Sequence, residues 1–272
     1  MDKTRFSILN SESHQVPARL FKPMWLRSRE SLIDDGLVYD PIAARACAKC
    51  AINPECLSGN VSQSQLLHVT LTHLCDLQIK HFLDQNPEAW VINIGAGLDT
   101  RFYRLDNGRC HWIELDVTEH LLWREQLFHR CERYKHHNGS VEDLSWLSEL
   151  KIPEDTPVLL VSEMALLDCN HSQITQLLQA LGRHFLHANT CFVLAGDKCD
   201  SPIGHKFGTE PYQHGFENPA QSMLNGLPWA KVVKQISPLD QTCMRWKWWQ
   251  KCLAKSQMLK YRYTPVVVSM QW

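Results

Sequence analysis

The sequence predicts an α/β fold: a doubly wound, mostly parallel seven-stranded sheet, with an N-terminal helical lead-in and an antiparallel edge strand. Three observations predict it. Short apolar runs alternate with amphipathic helical stretches, the pattern of a parallel sheet covered on both faces. The runs are apolar almost throughout rather than alternating, as strands buried on both sides must be. The run "AWVINIG" leads into a glycine turn, "GAGLD", where an open α/β sheet places its ligand.

The elements follow in order. Residues 15–50 read as the helical lead-in, with "DDGLVYDP" as an internal break. Residues 64–85 set Leu67, Leu71 and Leu74 on one helical face, and Asn86-Pro87 stops that helix. "AWVINIG" is the first strand and "CHWIELD" (110–116) the second. "TEHLLWREQLFHRC" is a helix with Thr118 as its cap. "KHHNGSV" is a weak third strand and "PVLLVSE" (157–163) a strong fourth. Residues 171–187 form an amphipathic helix with Ile174, Leu177, Leu178, Leu181 and Phe185 on one side, and "TCFVLAGD" (190–197) is the fifth strand. "AKVVKQI" and "YTPVVVSMQW" supply two more. The tryptophans of "RWKWWQK" between them read as cover for a core edge. The chain divides as one domain in four parts: a helical lead-in (1–63), a ligand-binding core (64–200), an insertion or cap (201–229) and the C-terminal strands (230–272).

Composition narrows the function. With 272 residues and a formal charge of −1, the chain carries no electrostatic case for nucleic acid or an anionic membrane. The opening residues lack the apolar core of a secretory signal, and no run approaches the ~18 apolar residues that span a bilayer, so a cytoplasmic location is expected. The 11 cysteines then read as reduced thiols. Cys47 and Cys50 have metal-like spacing without a second pair. His68 and His73 are badly phased on a helix, and His136 and His137 point to opposite sides of a strand. No metal is expected.

The glycine turn selects the ligand class. Gly95 and Gly97 clear the backbone for close approach. The third glycine of a dinucleotide fingerprint is replaced by Thr100, which disfavours a nicotinamide oxidoreductase, and the Lys-Ser/Thr ending of a phosphate loop is absent. Asp116 closes the second strand, where a carboxylate takes both hydroxyls of a ribose. Glu114 shares its face but lies inside the strand, which favours Asp116. A nucleoside without pyrophosphate fits.

The run "INIGAGLDTRFYRLD" followed by "WIELDVTEHLLWRE" resembles the leucine carboxyl methyltransferase family, whose bacterial branch includes the tetracenomycin-type polyketide O-methyltransferases. "KPMWLRSRESLIDDGLVYDPIA" is similar to that family's N-terminal segment, and "LLVSEMALLD" to its fourth-strand element. The resemblance covers residues 20–170. It implies a class I fold using S-adenosyl-L-methionine (SAM). Arg27 would pair with the methionyl carboxylate, Gly95 and Gly97 would lie against the donor, Asp116 would hold the ribose, and Glu163 would lie near the amino end. The chain departs from the family where an Asp-Leu after strand three would meet the adenine amino group: Ser140-Val141 stand there, so Ser140, a backbone carbonyl or, with a shift, Asp143 would serve. Met164 and Leu167 replace the family's Gly and Tyr. The acceptor expected is a small molecule methylated on a carboxyl or hydroxyl oxygen. The alternatives are a protein C-terminal carboxyl group, or nucleoside or partner binding without catalysis. His205, Tyr212 and His214 are candidate bases, and nothing in the sequence singles one out.

Overall fold

A computed structural model describes residues 16–57, 59–241 and 244–272. The reading of residues 1–15 as leaderless lies outside these. The elements run α1 (Ala18–Glu30), α2 (Pro41–Cys47), α3 (Val61–Gln85), β1 (Trp90–Ile94), α4 (Arg101–Leu105), β2 (His111–Asp116), α5 (Thr118–Leu127), β3 (Tyr134–Asn138), α6 (Trp146–Glu149), β4 (Val158–Ser162), α7 (His171–His184), β5 (Asn189–Leu194), α8 (Pro219–Gly226), β6 (Lys231–Ile236), α9 (Trp248–Ala254), α10 (Gln257–Tyr263) and β7 (Val266–Gln271).

The strands form one seven-stranded sheet in the order β3-β2-β1-β4-β5-β7-β6. The β3 to β5 pairings are parallel, and β7 runs antiparallel to both β5 and β6. The antiparallel edge is therefore a pair, with β7 one strand in and β6 outermost. β6 is bulged between Val232 and Lys234 and exposes two lysines, features that keep an outer strand from pairing with other chains.

The central strands are buried on both faces because side chains alternate across the sheet. Ile92, Ile94 and Leu160 pack on one side with Ile174, Leu177, Leu178 and Leu181 of α7. Val91, Leu159 and Val161 pack on the other with Leu67, Leu71, Leu74 and Ile79 of α3. The α3 face expected from helical spacing is thus a core face. Asn60 accepts a hydrogen bond from Gln63 N at its start, and Asn86 ends it.

Two local expectations are corrected. Thr118 is the first residue of α5 rather than its cap: Val117 holds the cap position, and the Thr118 hydroxyl reaches Asn138 Oδ1 at 2.8 Å. That helix also stops at Leu127, before the predicted Cys131, because Phe128 turns to an extended backbone. The tryptophans behave unequally. Trp246 is buried and packs with Trp249 around Phe207, whereas Trp248 is 78% exposed. No helix among the described residues is long and apolar enough to cross a membrane.

Candidate functional site

The parallel strands end together, and the loops beyond them frame a cavity of about 560 Å³, within the ~300–1,000 Å³ range usual for ligand sites. Its floor is the glycine turn. Gly95 has φ +68° and Gly97 φ +48°, the left-handed region that glycine enters freely. A Cβ on Gly95 would lie 2.1 Å from Ala165 Cβ, so only a bare backbone fits there. The turn is tied to β2. Gly95 N and Ala96 N donate to Leu115 O, and Gly97 N donates to Asp116 Oδ2 at 2.6 Å. Arg124 Nη1 donates to Gly97 O at 2.7 Å from the far side.

Asp116 lies on the cavity wall. Its Oδ1 accepts from Val117 N and bonds His120 Nδ1 at 2.7 Å. That hydrogen bond and the negative charge raise the His120 ring above its ordinary pKa. Oδ2 keeps acceptor capacity, and His120, on one turn of α5, can yield Oδ1 to a second hydroxyl. Glu114, the second candidate, is turned away from the cavity. It is fully buried with Asn93, Arg124 and Tyr134 as its partners.

Arg27 and Glu163 line the same cavity. Arg27 Nε donates to Asp40 Oδ2 at 3.0 Å and Nη2 to Leu98 O at 3.0 Å. Glu30, one turn along α1, is no partner of Arg27, since it bonds Arg245 and Gln65. Burial works to raise the Asp40 carboxyl, but Arg27 and Arg104 outweigh it and hold it below the ordinary range. Glu163 is buried, accepts from Thr72 Oγ1 at 2.6 Å, and pairs with Arg101, which also binds Asp76 and Asp99. Here too burial raises and the neighbouring cation lowers. The Glu163 carboxyl ends below its usual value.

The third-strand expectation is only half met. Val141 lines the cavity, while the Ser140 hydroxyl is turned back onto its own loop and accepts from Glu142 N and Asp143 N. Asp143 is likewise occupied, accepting from Ser145 N. Neither side chain is placed in the cavity lining; Glu142 is. A serine hydroxyl readily accepts from backbone N–H groups two and three residues on, which competes with reaching outward.

Of the three candidate bases only Tyr212 lines this cavity, and burial pushes its phenol well above the ordinary range. His205 is exposed and bonds Asp200 at 2.9 Å. His214 is buried, and both its nitrogens are used. Nε2 accepts from Ala195 N at 2.9 Å, which leaves the proton on Nδ1 for Cys169 O at 2.9 Å. It fastens the cap loop to β5.

Sequence reasoning missed His68 and Lys22. His68, on α3, is 6% exposed, lines the cavity, and places Nδ1 3.8 Å from Glu163 Oε1. Its signal was the four-residue spacing to Thr72, which puts both on the face that meets Glu163. Lys22, on α1, pairs with Glu210 of the cap at 2.5 Å, and Arg19 pairs with Asp168 beside it. These two pairs bridge the cavity mouth.

The profile of the leucine carboxyl methyltransferase family matches residues 22–180, more than half of the chain. The chain belongs to the leucine carboxyl methyltransferase family. That match takes in α1 from Lys22 onward, α3, the glycine turn, β2 and Glu163, which supply most of the cavity lining. Two curated relatives share it in part. The S-adenosyl-L-methionine-dependent methyltransferase dpfgK of Gibberella zeae is 29% identical over 44% of this chain and 42% of its own length. The tetracenomycin polyketide synthesis O-methyltransferase TcmP of Streptomyces glaucescens is 32% identical over 30% of each. The chain thus spans less than half the length of the curated relatives it matches. A solved DUF574 family protein from Streptomyces avermitilis shares the fold over 91% of this chain and 96% of its own, with TM-score 0.59 and 10% identity.

Proposed function

We propose that this family member is a SAM-dependent O-methyltransferase acting on a small molecule. One observation carries the reading: the bare turn at Gly95 and Gly97 and the Asp116 carboxylate share a cavity with Arg27 and Glu163, so every polar part of the donor meets a complementary group. Asp116 takes the ribose hydroxyls. Val117, Leu98 and Val141 offer apolar surface to the adenine, and Glu142, in place of Ser140, offers its amino group an acceptor. Arg27, anchored through Nε and Nη2, retains Nη1 for the methionyl carboxylate, a charge-assisted bond. Glu163 attracts the ammonium.

When bound, the donor supplies a methyl group on a sulfonium that is already an activated leaving group. The chain's part is alignment and exclusion of water. Leu67, Leu71 and Leu167 give the acceptor side an apolar wall. A bounded cavity of about 560 Å³ favours a small acceptor over a peptide tail, which needs a groove. Isothermal titration with SAM and with its demethylated product tests the reading. Binding of both in the micromolar range supports it, and no heat from either at millimolar concentration refutes it.

A further inference from the structure

We infer that Asp76, a residue outside the cavity, is a positioning residue for the donor: its one carboxylate spaces the two groups that receive the donor's amino-acid end. The inference rests on the donor site proposed above and deepens it.

The chemistry of that end sets the requirement. Its ammonium and its carboxylate hang from one carbon, so the anion for the first and the cation for the second must stand at a fixed separation. Glu163 and Arg27 are the two receivers, and they come from distant parts of the chain. Arg27 lies on α1, and Glu163 directly follows β4. Each is held through one arginine of α4. Arg101 Nη2 donates to Glu163 Oε2. Arg104 Nη1 donates to Asp40 Oδ2 at 2.8 Å, the same oxygen that accepts from Arg27 Nε at 3.0 Å.

Asp76 joins the two paths. It lies on α3, one turn after Thr72, which donates to Glu163 at 2.6 Å. Its Oδ1 accepts from Arg101 Nε at 2.6 Å, and its Oδ2 accepts from Arg104 Nε at 3.0 Å. Arg104 Nη2 adds a longer bond to Oδ1 at 3.3 Å. Asp99 also lies near both arginines, but it hydrogen-bonds Arg101 and stands 4.0 Å from Arg104. Among the described residues, Asp76 is thus the carboxylate that hydrogen-bonds both guanidiniums. The Arg101 and Arg104 side chains are 0% and 9% exposed and that of Asp76 16%, so solvent screens these bonds weakly. A planar guanidinium held on two edges has little freedom to turn. Each α4 arginine therefore passes the position of Asp76 to the group beyond it. Asp76 does not line the cavity, so it acts on the donor through Glu163 and Arg27.

The test is Asp76→Asn, which keeps the shape and one acceptor oxygen but loses the charge and the second oxygen. Two probes are titrated into the full chain by calorimetry. The first is the demethylated donor product, S-adenosyl-L-homocysteine. The second is 5′-methylthioadenosine, which keeps the nucleoside and the sulfur but has no amino-acid end. The product should bind at least ~10-fold more weakly than it binds the unaltered protein, the effect of a misplaced charge-assisted bond. Methylthioadenosine should change by less than ~2-fold, since Asp116 and the glycine turn are untouched. A role in folding alone moves both affinities together or leaves both unchanged. Either result overturns the inference, as does a larger loss for methylthioadenosine. Should methylthioadenosine not bind the unaltered protein, the product decides: weaker binding at full stoichiometry supports the inference, and any other result overturns it. If Asp76→Asn does not fold, Arg104→Lys takes its place, since one ammonium cannot span Asp76 and Asp40 as the guanidinium does. The same selective loss is expected, and failure of both variants to fold overturns the inference. Product binding to the unaltered protein, read first, separates the two claims. Its absence refutes the donor site itself, while its presence with a non-selective loss refutes only the role of Asp76.

Discussion

At the scale of single residues, the site depends on groups whose side-chain partners are already specified. Asp116→Ala removes the acceptor from Gly97 N and from the ribose, and should weaken SAM binding by ~1–3 kcal/mol. Arg27→Ala should cost at least as much, because the lost bond is charge-assisted and Asp40 loses one of its two cations. Titration calorimetry of both variants checks this, and an unchanged dissociation constant removes that residue from the donor site. These residues were legible in the sequence for physical reasons. A carboxylate closing the strand next to a glycine turn has few places to point, and Asp116 points into the cavity. Ser140 was misread because a hydroxyl near a turn bonds its own backbone, which no spacing rule forecasts. His68 was invisible because it was weighed against His73 as a ligand pair, when its meaningful neighbours are Thr72 and, across the fold, Glu163.

At the scale of elements, the glycine turn leaves no room for a side chain. Gly95→Ala forces a side chain into the left-handed region and against Ala165, so it should destabilise the fold by ~2–4 kcal/mol. Urea denaturation measures the loss. Adding Ala165→Gly should recover the steric part and leave the backbone strain; if it recovers nothing, the collision is not the cause. The strands and α3 were readable because continuous apolar runs and helical spacing record burial directly. The start and end of α5 were not, since Val117 rather than a polar residue precedes it and its end is set by the backbone of Phe128. The packing of α1 against the cap through Lys22 and Glu210 joins residues far apart in the chain, and local patterns carry no trace of it.

At the scale of the whole molecule, buried neutral histidines make stability depend on pH. Burial lowers His214 from 6.5 to about 4, and His68 likewise. Their folded values lie below the unfolded one, so their contribution is complete above about 6.5 and is lost as the pH falls from there through about 4. These two rings therefore contribute a drop in the urea midpoint between pH 7.5 and pH 5, opposed over the same range by Glu114, which burial raises to about 7, and by His120, which Asp116 raises. His214→Gln should flatten that drop while keeping an acceptor for Ala195 N. The same pH dependence in His214→Gln as in the unaltered protein contradicts the assignment.

The placement of β7 between β5 and β6 has a consequence for biosynthesis. β6 is translated first, yet among the described residues the one strand it pairs with emerges from the ribosome about thirty residues later. Until Val266–Gln271 arrives, β5 presents a bare rim and β6 has no strand partner, although the strands that hold the glycine turn are already made. A nascent chain stalled after α8 would carry a formed glycine turn on a half-finished sheet, at the moment when capture by a chaperone or by a neighbouring chain is easiest.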